Sequence, residues 1–302
     1  MTAVNLPQKR ERKAAWKMTP GKFVLYAFMY LFAILCLIPL VWLVRTAFVP
    51  KELELDMLAV GWVPTFSNIT RIWGMAMWGN YYINTLIVVA GVLAAQFVTI
   101  TMAGYAFARL NFYGKNTLFI LFLTQIMIAA DVLILPNYMT ISRMGLNDTL
   151  LGAMLPFFAS AMGTFLMRQT IKTIPFELEE AARIDGASEV RCLTSVVVPM
   201  SKPIIATVAL MTLIAYWNNW TNGIYFLTTR TDLYGIQNYL NDVMNKAAFL
   251  QSHTTGAINV RDIPNIGVRM AVAVVAVVPL LILYPFFQKY FVKGVTLGSV
   301  KG

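Results

Sequence analysis

Long apolar runs separated by short polar segments form the main pattern of this chain. A helix of about 20 apolar residues crosses the roughly 30 Å hydrocarbon core of a bilayer. Runs of this kind predict six membrane spans, at about 23–44, 83–107, 117–136, 149–167, 204–227 and 269–287. We therefore expect an all-α polytopic membrane protein.

The segment between the fourth and fifth runs, residues 174–203, concentrates acidic and basic side chains (IPFELEEAARIDGASEVRCLTSVVVPMSKP). Its pattern predicts two short helices joined by a turn. Pro175 suits the first helical position. Three glutamates follow near the positive end of this helix: Glu177, Glu179 and Glu180. Asp185 and Gly186 are expected to end it, because glycine adopts a left-handed backbone without strain.

The second helix of this segment is expected to begin after Ser188, whose hydroxyl can cap it. Three aliphatic residues are expected to share one face of that helix: Val190, Leu193 and Val197. Pro199 is expected to end the helix, because the residue before a proline is turned away from helical geometry.

Composition and charge agree with a membrane protein. Only 13% of the 302 residues are charged and 58% are hydrophobic, whereas a soluble domain carries about 25% charged residues. The net charge is +10, and residues 1–22, 108–116, 168–203 and 288–302 carry 16 of the 24 lysines and arginines. Positively charged segments stay in the cytoplasm, so both termini and segment 174–203 are expected there. This distribution is a membrane topology and does not indicate nucleic-acid binding, and the basic tail 1–22 is expected to contact lipid headgroups.

Patterns that would indicate catalysis are missing from the sequence. There is no Walker A phosphate-binding pattern, so the chain is not expected to hydrolyse ATP by itself. One histidine, His253, and two distant cysteines, Cys36 and Cys192, provide neither a metal cluster nor a nucleophile–base pair nor a disulfide. We expect no enzyme activity, no metal and no cofactor.

Segment 174–203 resembles the cytoplasmic signature of bacterial ABC-importer permeases. That signature is Glu-Ala-Ala, three residues, glycine, nine residues, then two aliphatic residues flanking any residue, and proline. The matching positions are Glu180, Ala181, Ala182, Gly186, Val196, Val198 and Pro199. In that family the loop is a coupling helix that docks into a cleft on a separate ATPase subunit. The resemblance implies ATPase-coupling roles for Glu180, Ala181, Ala182, Asp185, Gly186 and Pro199.

The resemblance covers nearly the whole chain. AYAFARLNFYGK and FLMRQTIKTIPFELEEAARIDGAS look like carbohydrate-importer permeases of the maltose type. WNNWTNGIYFL and YPFFQKYFVKGVTLGSVKG look closer to permeases for complex oligosaccharides, including those derived from pectin and alginate. The resemblance implies a bacterial inner-membrane subunit with these partners: a second homologous permease subunit, two ATP-binding subunits, an extracytoplasmic sugar-binding protein and an oligosaccharide. Asn219 and Ala129 depart from many relatives, which have an acidic residue and a proline there, so the identity of the sugar stays open.

The expected organisation is a basic tail (1–22), a transmembrane domain (23–293) and a C-terminal tail (294–302). Glycines recur in the last segment and favour an extended backbone over a helix. In maltose-type permeases the tail threads between the ATPase subunits, which implies ATPase contacts here by Gly298, Val300, Lys301 and Gly302. The outer segment 228–268 is too long for a simple connection, and the same resemblance suggests that it reaches into the docked binding protein.

Two polar interruptions of the spans are candidates for the substrate path. Asp131 is costly at mid-bilayer, which makes it a functional candidate; alternatively it lies near the outer interface or caps a helix broken before Pro136. The fifth span ends in a cluster of aromatic and amide residues: Trp217, Asn218, Asn219, Trp220 and Asn222. Aromatic faces with adjacent amides suit a sugar ring, but asparagines also bond neighbouring membrane helices. Both interpretations of the cluster stay open.

Two other classes of protein are consistent with a polytopic chain: a secondary transporter or channel for a small polar solute, and an integral-membrane enzyme. A secondary carrier usually has inverted repeats and intramembrane acids that couple ions. The sequence has one candidate acid, Asp131, and no visible internal repeat. An enzyme would need a catalytic constellation. The permease interpretation is therefore favoured.

Overall fold

The computed structural model describes residues 20–54, 56, 63–75, 78–252 and 265–299. Within these ranges the regular structure is helical and contains no strand, so the all-α polytopic fold is confirmed. The α-helices of the described part, numbered in chain order, are α1 Pro20–Phe48, α2 Ser67–Met75, α3 Trp78–Arg109, α4 Lys115–Thr124, α5 Ile134–Arg143, α6 Leu150–Met154, α7 Ala161–Thr173, α8 Glu177–Ile184, α9 Glu189–Cys192, α10 Val198–Met200, α11 Lys202–Trp217, α12 Thr221–Phe226, α13 Ile236–Ser252 and α14 Ile266–Ser299.

The spans are of two kinds. Three are unbroken and apolar enough to cross a membrane: α1, α3 and the Ile266–Phe286 part of α14. Three more are pairs of helical segments bent at a short break: Lys115–Met127 with Ala130–Arg143 (104°), Leu150–Phe157 with Ala161–Thr173 (46°), and Glu189–Met200 with Lys202–Trp217 (79°). The described residues thus supply up to six spans, which is the expected number. The fifth differs from its predicted bounds of 204–227, because α11 ends at Trp217 and its bent pair begins at Glu189, within segment 174–203. The bends were not predicted, because the hydropathy of a window carries no information on backbone direction.

Close helix packing builds the bundle. α3 packs along α7, and α14 packs against α1 and α11. Gly104 permits the first contact, because a Cβ there would lie only 2.7 Å from Cγ of Met167. The largest buried cluster joins α3, α11, α13 and α14 through Trp78, Trp217, Ile236, Val268 and their neighbours.

The first two spans are longer than their apolar runs. α1 continues to Phe48, and α3 begins at Trp78 rather than near residue 83. The expected loop 45–82 includes α2. The indole of Trp78 donates a 2.7 Å hydrogen bond to the carbonyl of Ile72 and stacks on Trp73. Aromatic residues of the expected loop therefore fix the corner between α2 and α3.

The outer segment 228–268, which is too long for a simple connection, contains helix α13. α13 packs against α3 and α14. The amide of Asn84 on α3 donates a 2.9 Å hydrogen bond to the carbonyl of Asp232, which holds the start of the segment to the bundle. Residues 253–264 lie outside the described part of the chain, so the suggested contact with a binding protein stays a prediction.

The C-terminal segment departs from its expected conformation. α14 continues through Gly294 and Gly298 to Ser299, so the extended tail predicted from its glycines is wrong over these residues. Each glycine costs a helix only about 1 kcal/mol relative to alanine. A helix of 34 residues is already nucleated and can extend through two such positions. Residues 1–19, which form most of the N-terminal tail, and residues 300–302 lie outside the described part.

Candidate functional site

Three helix breaks meet at one cavity of about 410 Å³. Each break contributes one residue to its wall. Ile128 lies between the two segments of the first bent pair, Ala159 between those of the second, and Asn219 between α11 and α12. Irregular backbone at membrane depth is tolerated only where it is buried in protein or lines a cavity. In transporters, discontinuous helices of this kind typically form the substrate site.

The chemistry of the wall suits a polar solute with apolar faces. Its polar side chains are amides, hydroxyls and one carboxylate, from Gln96, Gln125, Asp131, Asn137, Ser160, Tyr216, Asn219, Thr221 and Asn222. The rings of Phe157 and Tyr216, with centroids 5.1 Å apart, add aromatic surface. Ligand sites commonly combine apolar walls with a few convergent polar groups in such a volume.

Asp131, Asn219 and Asn222, which lie up to 91 positions apart in the sequence, line this same cavity. Asp131 is exposed on a short 3₁₀ segment, Ala130–Leu133, just after the first break. The helix is therefore broken before Pro136, but Asp131 does not cap it, because Leu133 occupies the N-cap of α5 and no side-chain hydrogen bond caps that helix. The backbone N–H of Asn222 donates a 2.9 Å hydrogen bond to Oδ1 of Asn219, which stabilises the start of α12.

The rest of the span-five cluster lies elsewhere. Trp217 is only 2% exposed, and its indole donates a 3.0 Å hydrogen bond to the carbonyl of Ala276 on α14. This contact is helix–helix bonding. Asn218 donates to the carbonyl of Ile214 at 3.0 Å, and the carbonyl of Trp220 accepts a hydrogen bond from Asn238. The cluster therefore divides between cavity-lining and structural residues.

A second hollow, of about 340 Å³, lies between α3, α7 and α11 and is lined mainly by aliphatic side chains. Its main polar side chains are already bonded to protein groups. Thr212 donates a 2.7 Å hydrogen bond to Gln96, whose amide N–H donates at 2.8 Å to the carbonyl of Phe157. This hollow offers little to a hydrophilic solute, so we take the first cavity as the candidate site.

The turn of segment 174–203 has the geometry that its sequence predicts. Gly186 has φ +83°, its N–H donates to the carbonyl of Arg183 at 3.0 Å, and the N–H of Ala187 donates to that of Ala182 at 2.9 Å. This pair of hydrogen bonds is the Schellman motif that ends a helix with a left-handed glycine. The prediction that Asp185 and Gly186 end the first helix is confirmed.

The start of the first helix differs from the prediction. α8 begins at Glu177, with the carbonyl of Phe176 accepting from the N–H groups of Glu179 and Glu180. Pro175 therefore lies before the helix and not at its first position. Ile174 has extended geometry, as a residue before proline favours, and the first helical hydrogen bonds are accepted after the proline, by the carbonyl of Phe176.

The second helix also differs. The Ser188 hydroxyl accepts from the N–H of Arg191 at 3.4 Å, so the predicted cap is confirmed. A π turn, Leu193–Val197, then carries the helix past Pro199 to Met200. The wider turn gives room to a proline ring, which otherwise clashes with the carbonyl four residues earlier.

The same π turn changes the buried face of the second helix. Cys192 and Val197, five residues apart, are fully buried, whereas Val190 is 70% exposed. The predicted shared face of Val190, Leu193 and Val197 is therefore wrong at its first member, because a regular 3.6-residue period does not hold through a π turn.

The six residues with implied ATPase-coupling roles face outward from the described chain. Ala182 is partly exposed, and the other five are exposed: Glu180, Ala181, Asp185, Gly186 and Pro199. A Cβ added at Gly186 would meet no atom of this chain within 4 Å. The surface is therefore open to another protein.

A buried ion pair, which the sequence analysis missed, holds α8 against α3. Glu179 is fully buried, and its carboxylate accepts from Nε of Arg109 at 2.7 Å and from the Tyr105 hydroxyl at 3.3 Å. Arg109 also donates to the carbonyl of Ile174 at 2.7 Å. The partners are 70 residues apart, so local spacing gave no signal.

The network continues to the second helix of the segment. The Tyr105 hydroxyl lies 2.6 Å from a carboxylate oxygen of Glu189, and Arg183 forms an ion pair with Glu189 at 2.9 Å. A hydrogen bond with Tyr105 and the nearby Glu189 carboxylate raise the pKa of the Arg183 guanidinium. Both helices of the segment are thus bonded to the end of α3.

One helix connects the two candidate sites. α3 runs unbroken for 32 residues, from Trp78 to Arg109. Arg109 lies in the ion pair at segment 174–203, and Gln96 lines the cavity 13 residues earlier, a separation of about 20 Å at 1.5 Å per residue. A displacement of the segment can therefore reach the cavity through rigid secondary structure.

Comparison with known proteins gives consistent similarities. Residues 101–297 match the family described as binding-protein-dependent transport system inner membrane component. The polygalacturonan/rhamnogalacturonan transport system permease protein of Bacillus subtilis is 27% identical over 92% of this chain and 97% of its own. The arabinooligosaccharides transport system permease protein of Halalkalibacterium halodurans is 30% identical over 95% of this chain and 97% of its own.

A solved structure shares the fold. A chain of a bacterial ABC transporter involved in the import of the acidic polysaccharide alginate superposes with a TM-score of 0.75. The match covers 90% of this chain and 96% of that chain at 23% identity.

Proposed function

Because the chain belongs to the family of binding-protein-dependent transport system inner membrane components, we propose that it is a permease subunit of an ATP-driven importer that takes up oligosaccharides. The relatives named above are transport system permease proteins for polygalacturonan/rhamnogalacturonan and for arabinooligosaccharides. The observation that carries the proposal is the connection of the exposed surface of α8 to a polar cavity by one unbroken helix, α3.

The proposed complex contains this chain, a second homologous permease subunit, two ATPase subunits and an extracytoplasmic sugar-binding protein. Both termini and segment 174–203 lie in the cytoplasm, in agreement with the positive charge of that side. Helix α8 seats on an ATPase, with Glu180 meeting a basic group and Ala181, Ala182, Asp185 and Gly186 allowing close approach. Pro199 lies at the outer face of the same segment, and Gly298, Val300, Lys301 and Gly302 contact the ATPase pair.

The proposed mechanism couples the two sites through a rigid body. Closure of the ATPase pair on ATP moves α8, and the Arg109–Glu179 ion pair passes the displacement to α3. The bent spans then change their packing around the cavity, which opens alternately to the binding protein and to the cytoplasm. Coupling of this kind needs an element with two arrangements that both sites bias.

Reconstitution of the full complex in proteoliposomes tests the proposal. We expect uptake of a labelled oligosaccharide only with ATP, both permease subunits and the loaded binding protein present. Collapse of ion gradients with ionophores should leave the rate unchanged. Uptake that persists without ATPase subunits but stops with ionophores would instead identify a secondary transporter.

A further inference from the structure

We propose that the cavity selects neutral oligosaccharides over oligosaccharides built from uronic acids, and that Asp131 makes this selection. The inference rests on the proposed function and adds a substrate class to it. Relatives of this chain include proteins for both classes: polygalacturonan is acidic, whereas arabinooligosaccharides are neutral. Sequence similarity therefore leaves the class open, and the charge of the cavity supplies an independent criterion.

The charge inventory of the cavity favours a neutral solute. Among the described residues that line it, Asp131 has the only carboxyl side chain, and none is lysine or arginine. Sites that hold carboxylates generally present arginine or lysine, because a guanidinium or ammonium offsets the cost of removing the anion from water. A uronate here would meet a second carboxylate, and two like charges at close range repel each other.

The same wall is well suited to hydroxyl groups. An ionised carboxylate accepts hydrogen bonds and donates none, so Asp131 can bind two sugar hydroxyls. Asn219 and Asn222 add amides, which both donate and accept, next to the aromatic surface of Phe157 and Tyr216. A neutral ring therefore finds partners for its hydroxyls and its C–H face, while a ring carboxylate finds no described cation.

Matched sugars isolate the effect of charge. The probes are trigalacturonate and its fully methyl-esterified form, and trimannuronate and its methyl ester, with maltotriose and arabinotriose as further neutral sugars. Equilibrium binding of each labelled probe is measured on the full permease–ATPase complex in nanodiscs, without the binding protein, so that the permease alone selects. Three complexes are compared: wild type, Asp131→Asn and, as a matched control, Asp242→Asn, which removes an exposed acid on α13.

For the wild-type complex we expect each methyl ester to bind at least about tenfold more tightly than the corresponding uronate. Asp131→Asn should lower this ratio several-fold, by weakening neutral binding and strengthening acidic binding, while Asp242→Asn keeps the wild-type ratio. The second permease subunit is the same in all three complexes. A change in the ratio of neutral to acidic affinity is therefore caused by the substitution in this chain.

Acidic probes that bind wild type as tightly as their esters would overturn the inference. An unchanged ratio in Asp131→Asn, with normal assembly by size-exclusion chromatography, would overturn the role of Asp131. If no probe binds and the complex transports no oligosaccharide, the proposed function is wrong as well. If the complex still transports oligosaccharides, only the charge selection is wrong.

Discussion

Glu179 and Glu180 are neighbours in the sequence with opposite environments. The Glu179 carboxylate is fully buried between Arg109 and Tyr105, while Glu180 is exposed on the outer side of α8. Successive residues of a helix point about 100° apart, so adjacent positions can serve two surfaces. Glu179 therefore holds α8 to the bundle, and Glu180 is free for a partner.

Removal of the Glu179 charge should uncouple the complex. Glu179→Gln leaves Arg109 buried without a counter-charge, and breaking a buried pair by removing one partner costs about 3–5 kcal/mol. We expect a lower melting temperature and less sugar transported per ATP hydrolysed. Asp242→Asn, which breaks the exposed Asp242–Lys246 pair, is the control and should cost under about 1 kcal/mol. Wild-type stability and stoichiometry in Glu179→Gln would rule out this role.

A substitution of Gly186 tests whether the exposed turn of segment 174–203 docks on an ATPase. Gly186→Leu places a side chain at φ +83° on the exposed turn, and we expect it to abolish substrate-stimulated ATP hydrolysis without preventing insertion. Gly145→Leu is the matched control, since Gly145 has φ +69° and equally open surroundings. Both variants share a backbone strain of about 1–2 kcal/mol. Equal ATPase activities of the two variants would show that strain, not docking, explains the loss.

Because the span-five cluster divides into structural and cavity-lining residues, we expect opposite effects from substitutions of Trp217 and Asn222. Trp217→Ala should cost about 3–5 kcal/mol and reduce the amount of assembled complex, because it empties a buried site. Asn222→Ala keeps the backbone N–H that bonds Asn219, so assembly should be normal and uptake about three- to tenfold lower. Assembly is measured by size-exclusion chromatography and uptake in proteoliposomes. Normal uptake by Asn222→Ala would remove this residue from the substrate path.

Sequence reasoning succeeded where the determinant is local. Gly186 ends α8 and Ser188 caps α9 because turn and cap chemistry depend on a few consecutive residues. The role of Glu179 could not be predicted, because its partner Arg109 is distant in the chain. The span-five cluster could not be divided either, because Trp217 faces α14 and Asn222 faces the cavity only after folding. Hydrophobicity locates spans, whereas the bends and the long-range polar contacts are fixed by tertiary packing.

The helical elements divide into a rigid connection and a set of broken spans. α3 is continuous from its corner with α2 at Trp78 to Arg109, whereas two of the spans that line the cavity are bent there, by 104° and 46°. The two segments of a broken helix can change their relative orientation by rotation at the few residues of the break. An unbroken helix transmits displacement along its axis. This division matches what alternating access requires of a permease.

The last turns of α14 form an element whose role can be tested by truncation. The apolar part of the span ends at Phe286, so removing 294–302 should leave insertion and pairing of the permease intact. We expect lower ATPase activity in the coupled complex, because contacts proposed for Gly298, Val300, Lys301 and Gly302 are lost. A truncated complex that transports at the wild-type rate per ATP would identify the segment as a frayed end.

The chain as a whole needs other molecules to cover its surface. No residue of the most apolar window of α1 is buried within the chain. Lipid or a second subunit must therefore cover this helix, since membranes and permease partners both present apolar surface. The cavity is likewise completed by the second permease in the proposed assembly.

A structure of the assembled complex, trapped with a bound oligosaccharide, tests the central claim most directly. We expect sugar density in the cavity bounded by the three helix breaks, within hydrogen-bonding distance of Asp131 and Asn222. We also expect α8 to be seated on an ATPase with Glu180 at the contact. Sugar density confined to another part of the complex, or an ATPase docked away from segment 174–203, would contradict it.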